Sequence, residues 1–433
     1  MASSSIEVEG LKYQSGNISM VDWISLLTLC FAPLLAHIVA GAPQPTYLSR
    51  NRPSWHDRLC HYNPVSILWR YAAIADRRIR ARAWCPANMA AANAIFWTAA
   101  GWDGSEEMAA RSVLYCIALP EKARLSPLSW SAIETAIVTI QGVQAVVIIA
   151  GSVYARWDVL NSGFSIDTAF LPVSILGLLR LYAAFWLTDD FLYVMRDDVL
   201  LQSLSDPYLD TSPSLSSVGF VGMQDATRLL DRSFAVEDHH FRPSRCWPSR
   251  VFQGFFVSNI VSLLAAAIFT VVPVAGYHRI FSSTVCVVAY GGVAFLSIPV
   301  AIYSYYLIRC AGFKSTIIPC ISAAWYKGYT VITFTWLLAI AVVSAVETRR
   351  TPCGQFTTHS ERLDSTLCPG LMYVGPGRNS TVFGLAAGSS PSHSTVQDDA
   401  QFVVVGFTGT CQGVNGSTEE AAFRNSSSSK LLT

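Results

Sequence analysis

The sequence predicts an all-α integral membrane bundle of about six transmembrane helices, with a small, partly ordered extramembrane tail. Three observations carry this. Apolar residues make up 52% of the 433-residue chain and charged residues only 14%, against about 25% charged in soluble domains. The apolar residues fall in long blocks, not in amphipathic stripes. Six blocks reach, or nearly reach, the roughly 20 residues that cross a hydrocarbon core about 30 Å thick. In lipid the backbone has no water to bond, so such blocks coil.

The first block, Val21 to Ala42, reads VDWISLLTLCFAPLLAHIVAGA. Ala40-Gly41-Ala42 imitates a signal-peptidase site, which makes a cleavable signal the rival reading. Glu7 and Glu9 against Lys12 leave no positive segment before it, and Pro43 would follow the cut. Residues 21–42 therefore read as an uncleaved anchor with residues 1–20 outside. The Arg-rich stretch that follows then stays cytoplasmic, as the positive-inside rule asks.

Five further spans occupy residues 134–346: Glu134–Ala155, Thr168–Thr188, Gln253–Tyr277, Ser283–Ile308 and Gly328–Val346. An even count returns the chain to its starting side. The short linkers Arg156–Asp167 and His278–Ser282 fall outside, and Arg309, Lys314 and Lys327 inside. Arg349 and Arg350 sit on the wrong side in this scheme. Cys85–Gly101, at the lower limit of span length and interrupted by Pro86, Asn88 and Asn93, reads as a cytoplasmic or interfacial helix. Ser315 to Val346 would make about 48 Å of continuous helix, so a break is expected at Lys327-Gly328, after an interfacial piece Ile317–Trp325.

Outside the spans lie the cytoplasmic segment 43–133, a second loop Asp189–Phe252, and the Ser/Gly-rich tail 347–433. Runs such as Phe402-Val403-Val404-Val405 suggest a few tail strands. Asn379, Asn415 and Asn425 are formal glycosylation acceptors, and Cys353, Cys368 and Cys411 share the tail with them. Together they suggest an oxidising, glycosylating compartment, with pairing open between those cysteines. A formal charge of +1 points to no polyanionic partner, and no segment reads as a nucleic-acid module.

Four constellations could carry function. Around Arg70–Arg82, a helical projection puts Leu68, Ala72, Ala75 and Ile79 on one face, Arg70 and Arg77 opposite, and Arg78 and Arg80 on the flanks. Such a helix could lie on a lipid surface, each basic residue contributing roughly 1 kcal/mol; the bland reading is a topology determinant. Gly254, Ser258, Ser262, Ala266 and Thr270 recur every four residues, a small-residue ridge for packing within the chain or between copies. Arg180 lies about 12 Å inside the third span, with Gln141 and Gln144 as its depth-matched partners and Glu134 nearer the surface; a polar substrate path and a structural arginine are both open. His37 reads as a packed histidine. Asp189-Asp190 and Asp197-Asp198 could hold Mg²⁺, though solvated helix ends show the same pattern. Neither His239-His240 nor His56, Cys60 and His61 has a trusted metal-ligand spacing, and no cofactor or catalytic motif is present.

Three runs carry a resemblance: WISLLTLCFAPLLAHIVAGAPQPTYLS from Trp23, WHDRLCHYNPVSILWRYAAIADRRIRA from Trp55, and GWDGSEEM from Gly101. They resemble a group of uncharacterised multi-pass membrane proteins of filamentous fungi, from the first span to about the last. The resemblance implies a eukaryotic plasma or secretory membrane and brings no activity. Three functions follow as expectations. The first is a membrane sensor or scaffold using the loops and tail. The alternative is a transporter or channel for a small solute lined by Arg180. The third is a metal-dependent membrane enzyme using the paired aspartates.

Overall fold

A computed structural model of the chain describes residues 5–154, 165–194, 241–272, 278–309, 312–351, 354–363, 372–373 and 403–404. In chain order its helices are α1 (Met20–Gly41), α2 (Trp55–Leu59), α3 (Pro64–Arg80), α4 (Pro86–Asn93), α5 (Glu106–Arg111), α6 (Trp130–Tyr154), α7 (Leu171–Gly177), α8 (Trp247–Val271), α9 (Ser283–Ile308) and α10 (Ala324–Glu347). Five of these, α1, α6, α8, α9 and α10, are long and apolar enough to cross a membrane. Their starts follow local rules. The Ser19 hydroxyl caps α1 by accepting from the Asp22 amide at 3.2 Å, and Pro248 occupies the first turn of α8, where no intrahelical donor is needed.

The expected third span differs most from its sequence reading. Only Leu171–Tyr182 is helical without a break, α7 running into a 3₁₀ turn at Leu178–Tyr182, and a second 3₁₀ turn covers Ala184–Trp186. The segment still joins the two ends of the bundle. The Ile166 amide donates to Thr348 Oγ1 at 3.1 Å at one end, and the Trp186 carbonyl accepts from Asn93 at the other. A 3₁₀ turn rises about 2.0 Å per residue against 1.5 Å in an α-helix, so fewer helical residues cover the distance. Close packing accompanies the irregularity: a Cβ on Gly142 of α6 would lie 2.5 Å from Leu178 Cγ, and one on Gly177 would lie 2.7 Å from Val138.

Short strands tie the ends together. At one end β1 (Ser5–Val8) pairs in parallel with β7 (His278–Phe281). The Gln14 amide donates to the Val346 carbonyl, and the Ser360 amide donates to Glu9 at 3.2 Å. There Glu347, the last residue of α10, accepts from the Thr284 amide and hydroxyl at 2.8 Å, capping α9 from outside. Arg349 Nε donates to the His359 carbonyl at 2.7 Å, and Arg350 faces Asp22 at 3.7 Å. The described residues 5–14, 165–168, 278–284, 348–351 and 354–360 thus share one end, hereafter called the outer end.

The inner end carries most of the other described residues outside the long helices. Cys85–Gly101 does not cross the bundle, and only its first half is helical. Asn93 ends α4, its amide donating to the Met89 and Trp186 carbonyls at 2.9 and 2.7 Å. Ile95-Phe96-Trp97-Thr98, β-branched and aromatic, then forms β3, paired with β2 (Pro45–Tyr47) and β4 (Gly101–Asp103). The break before the last span falls at Ala323, not at Lys327-Gly328, because turns over Ile318–Ala323 lead directly into α10. Exposed Trp130, Trp247 and Trp325 begin α6, α8 and α10, and exposed Tyr305 lies in the last turn of α9. Such amphipathic rings gather where hydrocarbon meets headgroups, so they mark the inner interface. In the tail, Met372–Tyr373 pairs antiparallel with Val403–Val404. Asn379, Asn415, Asn425, Cys353, Cys368 and Cys411 lie outside the described residues.

Candidate functional site

The most densely bonded region is α3 and the groups it gathers. α3 begins at Asn63, whose Oδ1 accepts from the Val65 amide at 2.9 Å and whose Nδ2 donates to Thr330 Oγ1 of α10 at 3.0 Å. Ser66 bonds Tyr326 in the first turn of α10, and the Val65 carbonyl accepts from Tyr303 near the end of α9. Arg70 reaches the last carbonyl of α1, and Asp76 reaches the first turns of α8. Every helix end touched is an inner one. α3 therefore lies across the bundle's inner mouth.

Its arginines are enclosed by protein, which corrects the lipid-surface expectation. Arg70, Arg77 and Arg80 are buried, and Arg78, half-buried, sits between the Trp84 and Trp186 rings. Arg70 donates to the Gly41 carbonyl at 2.8 Å and to the Asn93 carbonyl and side chain at 3.0 and 3.2 Å. Arg77 donates to the Gly104 and Lys314 carbonyls at 2.7 and 3.2 Å. Arg80 meets Asp76 at 2.8 Å, the Arg242 carbonyl at 3.1 Å, and Glu106. Asp76, with no exposure, also accepts from Ser249 and from Gln253 at 3.0 Å. Burial pushes the Arg70 and Arg77 guanidinium groups down to about 10, so both stay charged near neutrality. For Arg80, burial works downward, but Glu106 and Asp76 outweigh it and the net shift is upward.

A helical projection cannot separate lipid from protein as the neighbour of an apolar face, so it could not find this arrangement. Asp76 was readable in principle: it is the only acid between His61 and Trp84 and lies four residues before Arg80.

Arg180 lies beside this layer. Its Nε donates to Thr135 Oγ1 at 2.8 Å. One terminal nitrogen bonds the Ala40 carbonyl and Tyr71, and the other bonds the Ser131 carbonyl at 3.3 Å and Glu134 at 3.2 Å. Glu134 is thus a partner, while Gln141 and Gln144 are not. Gln144 is exposed and Gln141 half-buried, and the antiparallel register of α6 against the third span places Gly142 beside Leu178, well past Arg180. His37 is buried, and neither ring nitrogen has a hydrogen-bond partner among the described residues.

Among the described residues, the small-residue ridge faces away from the rest of the bundle. Gly254, Ser258, Ser262 and Ala266 are exposed, whereas Gln253, Phe256 and Ile260 on the other side of α8 are buried. The expectation of packing within the chain along this ridge is corrected accordingly. Phe256 joins Trp69, Tyr303 and Phe313 in an aromatic cluster, and large rings fill that interface instead.

A small cavity of about 10 Å³ lies between His61, Ser66, Arg70 and Ile318, close to the least that holds one water. His61 Nε2 and Arg70 Nε are buried without partners among the described residues. Burial, aided by the Arg70 charge, pushes His61 down to about 3, leaving it neutral. The cavity suits one water, not a solute. No cluster of metal-ligating side chains occurs among the described residues. Asp189 and Asp190 sit exposed after the third span, where the chain is not helical; Asp197, Asp198, His239 and His240 lie outside the described residues.

Fold and site together define a polytopic α-helical integral membrane protein. No protein-family model, curated protein or solved structure matches the chain.

Proposed function

We propose that this membrane protein is a scaffold that conducts no solute, its inner layer acting as a fixed platform. The observation that carries the reading is α3, lying across the inner mouth with Trp69 fully buried and its indole donating to the Ser315 carbonyl at 2.9 Å. Arg180, the residue on which a substrate path would depend, directs its donors at five protein acceptors. A guanidinium so bonded clamps α1, α3, α6 and the third span together. Displacing α3 to open a path would strip several buried charged groups of their partners, each loss costing about 1.5–3 kcal/mol.

The test is flux through proteoliposomes holding the full chain, loaded in turn with K⁺, Cl⁻ and small uncharged solutes. The scaffold reading expects leakage equal to that of protein-free vesicles. Saturable flux above that level, lost in Arg180→Ala protein that is still inserted and monodisperse, would overturn it in favour of a transporter.

A further inference from the structure

The basic residues that face outward at the inner end are not those of α3. Arg52 precedes α2 and Arg58 lies in its last turn, and both guanidinium groups pack over one ring: Arg52 Cζ lies 4.3 Å and Arg58 Cζ 5.6 Å from the Tyr47 centroid. Both side chains are exposed. Neither has a carboxylate within 4 Å among the described residues. The acid nearest in sequence, Asp57, is already committed to Lys327 at 2.6 Å and to Ser54.

Two like charges held against one ring, without a counter-charge, repel one another and leave their planar donor forks unused. A phosphate accepts such forks in bidentate fashion. The location supplies the source of phosphate. The Asp57–Lys327 pair fixes α2 beside the first turn of α10, level with Trp325. Trp55, two residues before Asp57 at the start of α2, is 72% exposed, as an indole at the headgroup boundary is.

We propose that Arg52, Arg58 and Tyr47, with Trp55 as the interfacial anchor, form a binding site for the headgroup phosphate of an anionic phospholipid in the surrounding bilayer. The two guanidinium groups grip the phosphate, Tyr47 holds them in place by cation–π contact, and Trp55 seats the site at the depth where phosphates lie.

The full chain in detergent would be titrated with phosphatidic acid or phosphatidylcholine, and bound lipid counted by native mass spectrometry. The wild type is expected to prefer phosphatidic acid by at least about tenfold, since each basic residue near anionic lipid contributes roughly 1 kcal/mol. Arg52→Gln with Arg58→Gln should abolish that preference. Arg111→Gln, removing an exposed arginine already paired with Glu107, should leave it intact. Added inorganic phosphate should compete poorly, because it lacks the chains that Trp55 accompanies. A wild type that does not discriminate, or a folded double variant that does so as well as the wild type, overturns the proposal. Should the double variant not be recovered folded, a salt series on the wild type decides. A preference that falls steeply with ionic strength supports the site, and one indifferent to salt overturns it.

Discussion

α3 and α8 lie against each other and reverse the usual relation between polarity and burial. α3 carries four arginines and an aspartate, yet only Arg78 and Ile79 escape full burial. α8 is apolar along most of its length and is the least enclosed of the five long helices. In water this would be an inverted protein. In a bilayer the rule differs: apolar surface gains nothing by leaving lipid for protein, so α8 can present Phe255, Val261 and Ile268 outward. Charged groups gain a great deal from fixed partners, so α3 is drawn to the one place where helix ends offer them. α1 ends in the Ala40 and Gly41 carbonyls, which have no helical acceptor role left to fill, and Arg180 and Arg70 take one each. The cationic heads also complement the negative end of the α1 dipole.

That contrast can be broken most forcefully at Asp76. Asp76→Ala removes one of the two carboxylates paired with buried Arg80 and takes the acceptor from buried Ser249 and Gln253; it should cost about 3–5 kcal/mol, read as a lowered Tm of the purified protein. A Tm within a degree of wild type would mean that the Arg80 network does not hold α3 in place. Next comes Arg180→Met, which keeps the bulk but drops the bonds to Ala40, Ser131, Thr135 and Glu134; about 2–3 kcal/mol is expected, again by Tm. A smaller effect separates the outer end from the inner one. Burial tends to raise the pKa of Glu9, but the Ser360 hydroxyl and amide, Lys12 and His359 outweigh it and hold the carboxyl below its ordinary value. A lowered folded-state pKa contributes stability above the unfolded value, near 4.3, and loses it as pH falls through the folded one. Amide protection at Ser5–Val8, corrected for the pH dependence of intrinsic exchange, should therefore fall as pH drops below the unfolded value while that of α3 does not. Parallel behaviour of both segments would contradict a strap held by Glu9. Smallest of all is Ser262→Leu on the exposed ridge, expected within about 0.5 kcal/mol of wild type. A larger loss in Tm would show that the ridge packs against something after all.

The sequence made the spans legible because block length and lipid thickness are tied by geometry. Among the described residues, 5–9, 165–168, 278–282, 348–351 and 354–360 meet one another in the fold. Two things were hidden. The third segment has the hydropathy of a regular span, and hydropathy does not register a 3₁₀ stretch packed as closely as Gly142 and Gly177 allow. The partners of Arg180 were sought at equal depth, at Gln141 and Gln144. The register of α6 instead brings Ser131, Glu134 and Thr135 to it, one turn inside exposed Trp130. Glu134 was visible but ranked by depth alone, without allowance for the reach of an arginine toward an interface. The acceptors of the α3 arginines are distant in sequence, the Gly41, Asn93, Gly104 and Lys314 carbonyls and the Glu106 carboxylate, so a helical projection places these side chains on the wrong surface.

Amide hydrogen exchange across Pro64–Arg80, with the full chain in lipid nanodiscs, bears most directly on the enclosed position of α3. Exchange as slow as that of α9 and α10 is the outcome this arrangement demands. Exchange within seconds, as for a helix resting on the bilayer surface, would contradict it, and the fixed inner platform would fall with it.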